Sequence, residues 1–220
     1  MSSRSAGTGY VTVPDSGEGP GVLVLHSWWG LTPFFKGVCD RLSEAGFTAL
    51  APDLFGGRTA DTPEAAEKLL AEADVDAMAH LVRASLFALH GMPATPDAPV
   101  GTLGFSMGAS WALWLAGRIP DLVAATVAFY GTQSIDMTPA TSAFLGHFAD
   151  HDPYVDDDER TLLEADLHVL DKDVQFHDYP GTGHWFFEDD RPAFDEAAAA
   201  LAWDRTLAFL RDRLGQVAST

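Results

Sequence analysis

Cysteine is nearly missing from this chain: Cys39 stands alone among 220 residues, so no disulfide can close within it. A lone thiol fits a reducing compartment, and its place beside Val38 and Leu42 in a helical pattern reads as a buried structural residue. Basic residues are scarce as well. Thirteen Lys and Arg stand against 32 Asp and Glu, a formal net charge of −19. Such a surface repels phosphate backbones and anionic membranes, which argues against nucleic acid and membranes as partners. The same excess reads as a solubility adaptation, for instance to a salty host. Long apolar runs are absent: none reaches the roughly 18–20 residues that a membrane-spanning helix needs. Residues 1–9 are small and polar, with no apolar stretch after Arg4. They read as a flexible N-terminus rather than a signal peptide, and the cytoplasm is the expected compartment. With no repeat and no long Pro/Gly/Ser linker, residues 1–220 are expected to form a single domain.

What is present is a core. Hydrophobic residues make up 47% of the chain, enough for an ordinary globular interior. Short apolar runs alternate with longer helical patterns. Gly21–His26 (GVLVLH), Phe47–Ala51, Val100–Phe105, Leu122–Tyr130, Thr141–Ala149 and Val174–Tyr179 read as strands, several of them buried on both faces. Between them, helical spacing covers Pro33–Ala45, a segment starting at Asp61-Thr-Pro63, Val75–Leu89, Ala109–Ala116, Thr161–Leu170 and Pro192–Leu214. Strand and helix in alternation with short connections predict a mostly parallel, doubly wound α/β sheet covered on both faces. The stretch from Arg58 to Ala73 is the notable excursion, so no large cap is expected.

The sharpest chemical signal is Gly104-Phe105-Ser106-Met107-Gly108, a G-x-S-x-G between a buried strand and an Ala-rich helix. A sharp strand-to-helix turn strains the serine backbone and lifts its Oγ clear of the sheet. The glycines keep Cβ atoms out of a tight crossing. The helix N-terminus offers N–H groups and a positive dipole end to a developing oxyanion, with the Met107 amide as one donor. This nucleophile elbow marks the α/β-hydrolase fold.

A serine hydroxyl needs a base, and the base needs an orienting acid. In such folds the chain order is nucleophile, acid, histidine. His26, His80 and His90 precede the elbow, His168 lies in a helix and His177 inside a strand. His184, in Pro180-Gly-Thr-Gly-His184 directly after a strand, is the natural base. For the acid, the segment leaving the preceding strand offers both Asp150 and Asp152, and the residues alone do not choose between them. The acidic run through Asp156-Asp157-Asp158-Glu159 also invites a metal-loop reading. It lacks the glycine of an EF-hand and contains Pro153, so a solvated acidic loop is expected, with no metal and no cofactor.

At these residues the chain resembles the dienelactone hydrolase family, over nearly its whole length from about Gly21 to Leu214. The elements that carry the likeness are VLVLHSWWGL (Val22–Leu31), APDLFGG (Ala51–Gly57), GFSMGA (Gly104–Ala109), GHFADHDPYV (Gly146–Val155) and YPGTGHWF (Tyr179–Phe186). The resemblance implies that the acid is the residue before the proline, Asp152, that the base is His184, and that the Trp28 amide is a second oxyanion donor beside Met107. It also implies a cysteine nucleophile and a glutamate in the oxyanion loop, where this chain carries Ser106 and Ser27. The family's arginine one turn past the histidine, which holds a substrate carboxylate, is here Glu188. These departures point away from an anionic dienelactone and toward a serine esterase.

The expected function is therefore a carboxylic ester hydrolase acting on a small-molecule ester or lactone through an acyl-enzyme. A thioesterase or other acyl-transfer enzyme on the same residues is the alternative, and a catalytically silent binding protein is the reading from outside enzymology. His26, Ser27, Trp29 and Trp185 are candidate substrate-binding residues, although for His26 a structural bond to the loop backbone is the favoured expectation. Asp53 reads as a tie for its own loop. Of the aromatics Trp28, Trp29, Phe34, Phe35, Trp185 and Phe186, part is expected to line an apolar acyl or alcohol pocket.

Overall fold

Seven strands form one sheet in the order β1-β3-β2-β4-β5-β6-β7 in the computed structural model, which describes residues 9–215. Of the N-terminus expected to be flexible, residues 1–8 lie outside the described residues, and Gly9 is exposed. The strands are β1 (Tyr10–Thr12), β2 (Gly21–Leu25), β3 (Thr48–Ala51), β4 (Val100–Phe105), β5 (Val123–Phe129), β6 (Ala143–His151) and β7 (Val174–Gly183). The helices are α1 (Pro33–Glu44), α2 (Pro63–Ala71), α3 (Val75–His90), α4 (Met107–Arg118), α5 (Asp157–Val169) and α6 (Glu196–Leu214). All pairings are parallel except β1 with β3. The sheet is thus the mostly parallel α/β arrangement expected from the alternating pattern.

Strand alternation divides the core between two faces. Val22 and Val24 of β2 pack with Phe35, Val38 and Leu42 of α1 and with Trp203 and Leu210 of α6. Leu23 and Leu25 point the other way, among side chains from α2, α3, α4 and α5, including Leu69, Val82, Ala112 and Leu163. Cys39 is buried on α1, and burial pushes its thiol up to about 12, so it stays protonated and inert. Among the described residues no helix is long and apolar enough to cross a membrane.

Several boundaries differ from the sequence reading, among them β7, which runs on from Tyr179 to Gly183. The edge strand β1 was not anticipated, because three residues carry too little periodicity. The acidic loop ends early: Asp156 caps α5 by accepting from the Asp158 amide, and Asp157, Asp158 and Glu159 form its first turn. Carboxylates are stabilised at that end by the helix dipole, so the acidic run is partly a helix start. The last helix begins at Glu196, capped by Asp195, four residues after Pro192.

Under β5 and β6 lies a buried polar knot. His147 is fully buried, with Nδ1 2.7 Å from the Tyr179 hydroxyl and Nε2 3.0 Å from the Thr206 hydroxyl. Burial holds its imidazole well below the ordinary 6.5. Below that pH the unfolded chain takes up a proton that the folded chain refuses, so stability falls as pH falls. Relative to His147→Gln, whose amide keeps a donor and an acceptor in place, wild type is expected to lose up to about 2 kcal/mol between about pH 7 and about pH 5. Urea unfolding of both chains at the two pH values measures it; parallel curves would refute the assignment.

Candidate active site

Chain order reverses at β2, with β3 on one side and β4 on the other. In open α/β sheets the crevice at such a switch, beyond the carboxyl ends of the strands, is where ligands bind. Residues from four strand ends converge there: the loop after β2 with Trp28, the β4–α4 turn with Ser106, the loop after β6 with Asp152, and His184 directly after β7.

The β4–α4 turn is as tight as its glycines require. Ser106 adopts φ 52° and ψ −116°, a conformation that L-residues rarely hold. Its amide donates to the Phe129 carbonyl at 2.9 Å, which pins the turn to β5. A Cβ on Gly108 would overlap the Leu25 carbonyl oxygen, and one on Gly104 would overlap the Gly108 backbone. The helix can approach the sheet closely because both positions are bare.

His184 sits between the other two groups. Its Nε2 lies 2.9 Å from Ser106 Oγ, and its Nδ1 lies 2.8 and 2.7 Å from the two Asp152 oxygens. Asp152 Oδ1 also accepts from the Tyr154 and Val155 amides at 2.9 and 3.1 Å, which fixes the carboxylate against rotation. The side chains of His184 and Asp152 are buried, while Ser106 is half-buried. Asp150, the other acid left open by the residues, is turned away: its Oδ2 accepts from the Gly181 amide at 3.0 Å. Phe186 and Phe187, just beyond His184, anchor its loop in the core, the Phe187 ring lying 4.6 Å from Phe129 and 5.7 Å from Phe105.

Among the described residues no hydrogen bond engages the amide of Trp28 or of Met107. The peptide unit carrying the Trp28 N–H is nevertheless held. Leu54 N donates to His26 Nε2 at 3.0 Å, which leaves the proton on Nδ1, and Nδ1 donates to the Ser27 carbonyl at 2.7 Å. In a trans peptide the C=O and the following N–H point in opposite directions, so pinning the Ser27 oxygen aims the Trp28 N–H the other way. His26 is fully buried and burial lowers its pKa to about 4, keeping it neutral.

His26 thus takes the structural role favoured for it, and two of the other candidate substrate contacts, Ser27 and Trp29, are corrected. Both ring nitrogens of His26 are committed to backbone, and none is left for a ligand. Ser27 is fully buried, its hydroxyl turned to Glu188 Oε2 at 3.4 Å. Trp29 is 2% exposed, packed between the Trp185 ring and the Arg191 guanidinium, so it backs the wall instead of lining it. Trp185 remains half-buried beside His184, their rings 4.8 Å apart. Its φ of 66° is a second strained backbone next to the first. Phe35 and Phe186 belong to the core.

Sequence reasoning passed over Tyr154 and Tyr130. The Tyr154 ring, half-exposed, lies 5.0 Å from both His184 and Trp185 and 5.4 Å from Trp28. The indole N–H groups of Trp28, Trp29 and Trp185 are buried without an acceptor among the described residues. Tyr154 could have been noticed from its place two residues after Asp152. Tyr130 could not, because its role depends on Glu188. Glu188 stands where the resemblance implies an arginine holding a substrate carboxylate, a departure that weighs against an anionic substrate. It is fully buried, accepting from the Tyr130 hydroxyl at 2.9 Å, and burial pushes its pKa up to about 8. Asp53 ties its own loop, accepting from the Phe55 and Gly57 amides. Among the described residues no group of three or more His, Cys, Asp or Glu is placed to hold a metal ion.

A mostly parallel sheet with an elbow serine at its crossing point is the α/β-hydrolase fold. Within that fold the chain belongs to the dienelactone hydrolase family, a family of hydrolases, whose model matches residues 8–214. A relative called protein usf, from Aquifex pyrophilus, is 35% identical over 94% of this chain and 93% of its own length. Carboxymethylenebutenolidase 1 of Cupriavidus pinatubonensis is 28% identical over 96% of this chain and 94% of its own. Among solved structures, a dienelactone hydrolase-like promiscuous phosphotriesterase from metagenomic libraries superposes with a TM-score of 0.79 at 24% identity, covering 93% of this chain and 89% of its own. That last likeness is one of fold.

Proposed function

We propose that this chain is a serine hydrolase that cleaves a small carboxylic ester or lactone through an acyl-enzyme on Ser106. The observation that carries the reading is the unbroken line of hydrogen bonds from Ser106 Oγ through both nitrogens of His184 to the Asp152 carboxylate. With its Nδ1 proton held by Asp152, His184 presents a bare Nε2 to the serine hydroxyl. Ser106 Oγ attacks the substrate carbonyl and its proton passes to Nε2. The Trp28 and Met107 amides receive the oxyanion, each worth roughly 2.7–4 kcal/mol in comparable sites. The imidazolium then protonates the leaving oxygen, and water, deprotonated by the same nitrogen, releases the acid. Trp28, Tyr154 and Trp185 form an apolar cluster of rings tilted against one another beside His184, and their ring surface suits an unsaturated or aromatic acyl group. The lactone-cleaving name borne by a relative supports the lactone arm of the reading. The activity is proposed to reside in one domain.

A fluorophosphonate, which phosphonylates only an activated serine, tests this directly. Intact mass is expected to show a single adduct on wild type and none on Ser106→Ala; a folded wild type that takes up no adduct would sink the proposal. Asp152→Asn keeps the shape of the site but no longer holds His184 in the required tautomer. It is expected to slow ester hydrolysis by roughly 10^3–10^4-fold with little change in unfolding midpoint. An unaltered rate would remove Asp152 from the mechanism.

A further inference from the structure

The mechanism leaves one buried ionisable group beside the site unused. Glu188 lies four residues past His184, in a turn where its amide donates to the Trp185 carbonyl at 2.9 Å and its carbonyl accepts from Arg191 N at 3.0 Å. Its carboxyl reaches two other elements. Oε1 accepts from the Tyr130 hydroxyl at the end of β5, and Oε2 lies 3.4 Å from Ser27 Oγ in the loop after β2. Ser27 belongs to the peptide unit that carries the Trp28 N–H, and the Tyr130 ring packs 4.9 Å from the His184 ring. One carboxyl therefore touches both the loop proposed to bind the oxyanion and the residue that packs against the proposed base.

We propose that Glu188 is a positioning residue for acyl transfer, that it acts in its neutral form, and that its ionisation turns the site off. This rests on the hydrolase reading above. The neutral carboxyl has one donor and one acceptor side, and its two hydroxyl neighbours can meet both, because a hydroxyl can donate or accept. Tyr130 is fully buried and its hydroxyl is held well above the ordinary 10.0, so it stays a donor to Oε1. The carboxyl proton is then left for Oε2, and the Ser27 hydroxyl, which donates toward Oε2 when the carboxyl is ionised, turns its own proton away and accepts. Held from below by His26 and from the side by Glu188, Ser27 cannot turn, and the Trp28 amide keeps its aim. Tyr130, with a φ of 38°, is held at its amide by the His147 carbonyl and at its hydroxyl by Glu188. Once ionised, Glu188 becomes a buried negative charge against the loop where negative charge must develop in the transition state. That opposes the oxyanion electrostatically.

The charged groups around Glu188 set where this occurs. Desolvation is the largest influence and raises its pKa to about 8. Asp190 adds to this, while the Tyr130 and Ser27 hydrogen bonds and Arg191 pull it down. His26, behind Ser27, is neutral in this range, and Asp152 and His184 lie beyond the Tyr130 ring.

The test is the pH dependence of kcat, KM and fluorophosphonate labelling rate for wild type, Glu188→Gln and Tyr130→Phe. In wild type, kcat and labelling rate are expected to fall about tenfold per pH unit above roughly pH 8, with KM little changed. Glu188→Gln, which cannot ionise, is expected to lose that fall. Tyr130→Phe removes a bond that favours the charged form and is expected to move the fall to higher pH. Unfolding gives a readout independent of activity. A carboxyl whose folded pKa is raised binds its proton more tightly when folded, so stability drops as pH rises from about 4.5 to about 8. That component is expected to vanish in Glu188→Gln. Should Glu188→Gln fail to fold, the Tyr130→Phe shift decides. An alkaline fall unchanged in Glu188→Gln, or unmoved or moved to lower pH in Tyr130→Phe, overturns the inference. Absence of Ser106 labelling at every pH would instead overturn the hydrolase reading on which it stands.

Discussion

Replacing Ser106 with alanine is expected to lower ester hydrolysis by roughly 10^5-fold or more while leaving the fold intact. Removing a nucleophile that works as a unit with its base costs about as much as removing the unit, and what remains is binding and oxyanion stabilisation. Folding survives because the hydroxyl is bonded to His184 alone, whereas the turn is held by backbone, through Ser106 N to the Phe129 carbonyl and Ser106 O to the Ala109 amide. The strained φ of 52° adds a second, opposite expectation for Ser106→Gly. Glycine holds this conformation without strain, so relief of about 1–3 kcal/mol outweighs the roughly 0.5–1 kcal/mol of added chain entropy. The glycine variant should be inactive yet more stable than wild type by about 1 kcal/mol. Hydrolysis assays with urea unfolding of the three chains check both expectations. Residual activity near wild type in either variant would refute the assignment of Ser106 as nucleophile.

Gly108→Ala is expected to abolish the folded protein, or to destabilise it by more than about 4 kcal/mol. The added Cβ meets the Leu25 carbonyl oxygen and lies 2.6 Å from the Leu25 carbonyl carbon and 2.7 Å from the His26 carbonyl oxygen. All three are backbone at the end of β2, and no rotamer change can move them. Relief would require α4 to slide off the sheet, which would also part Ser106 from His184. Gly37→Ala is the matched control. It adds the same methyl group within α1, where nothing lies within 4 Å, and helix propensity favours alanine by up to about 1 kcal/mol. Soluble expression and thermal unfolding of the pair decide it. A folded, active Gly108→Ala would mean that the helix crosses the sheet less closely than described.

The two glycines show why this part of the site was legible in the amino-acid sequence. A strand-to-helix turn is specified within about five residues, so Gly104-Phe105-Ser106-Met107-Gly108 announces its own geometry. The alternation of buried strands and amphipathic helices is equally local, and it led to the parallel α/β sheet that the structure has. His184 could be singled out by its place directly after a strand, since the ends of parallel strands gather on one edge of the sheet.

Partners across loops were a different matter. Asp150 and Asp152 leave the same strand end and carry the same chemistry. The closing of the β6–α5 loop over its own amides turns Asp152 toward His184, and the Gly181 amide claims Asp150. The Asp-Pro pattern pointed to Asp152 only through the family resemblance; residue chemistry alone does not encode that difference. Glu188 makes the point more strongly. Read along the chain, an acid one turn past the histidine looked like a charge at the mouth. In the fold it is enclosed by Tyr130, 58 residues away, and Ser27, 161 residues away, and burial keeps it largely neutral near pH 7. For His26 a backbone tie was the favoured expectation, but that its partner is the Leu54 amide, beyond Asp53, only the fold shows.

The sequence by itself therefore determined the fold class, the elbow and the order of the reactive residue types, because each is written in short-range backbone preferences and hydrophobic periodicity. Only the tertiary structure showed how the Asp152 carboxylate is turned to the imidazole, which donors are aimed by which supports, and which acid is buried. Those outcomes depend on desolvation and on contacts between distant loops, and neither exists until the chain has closed upon itself.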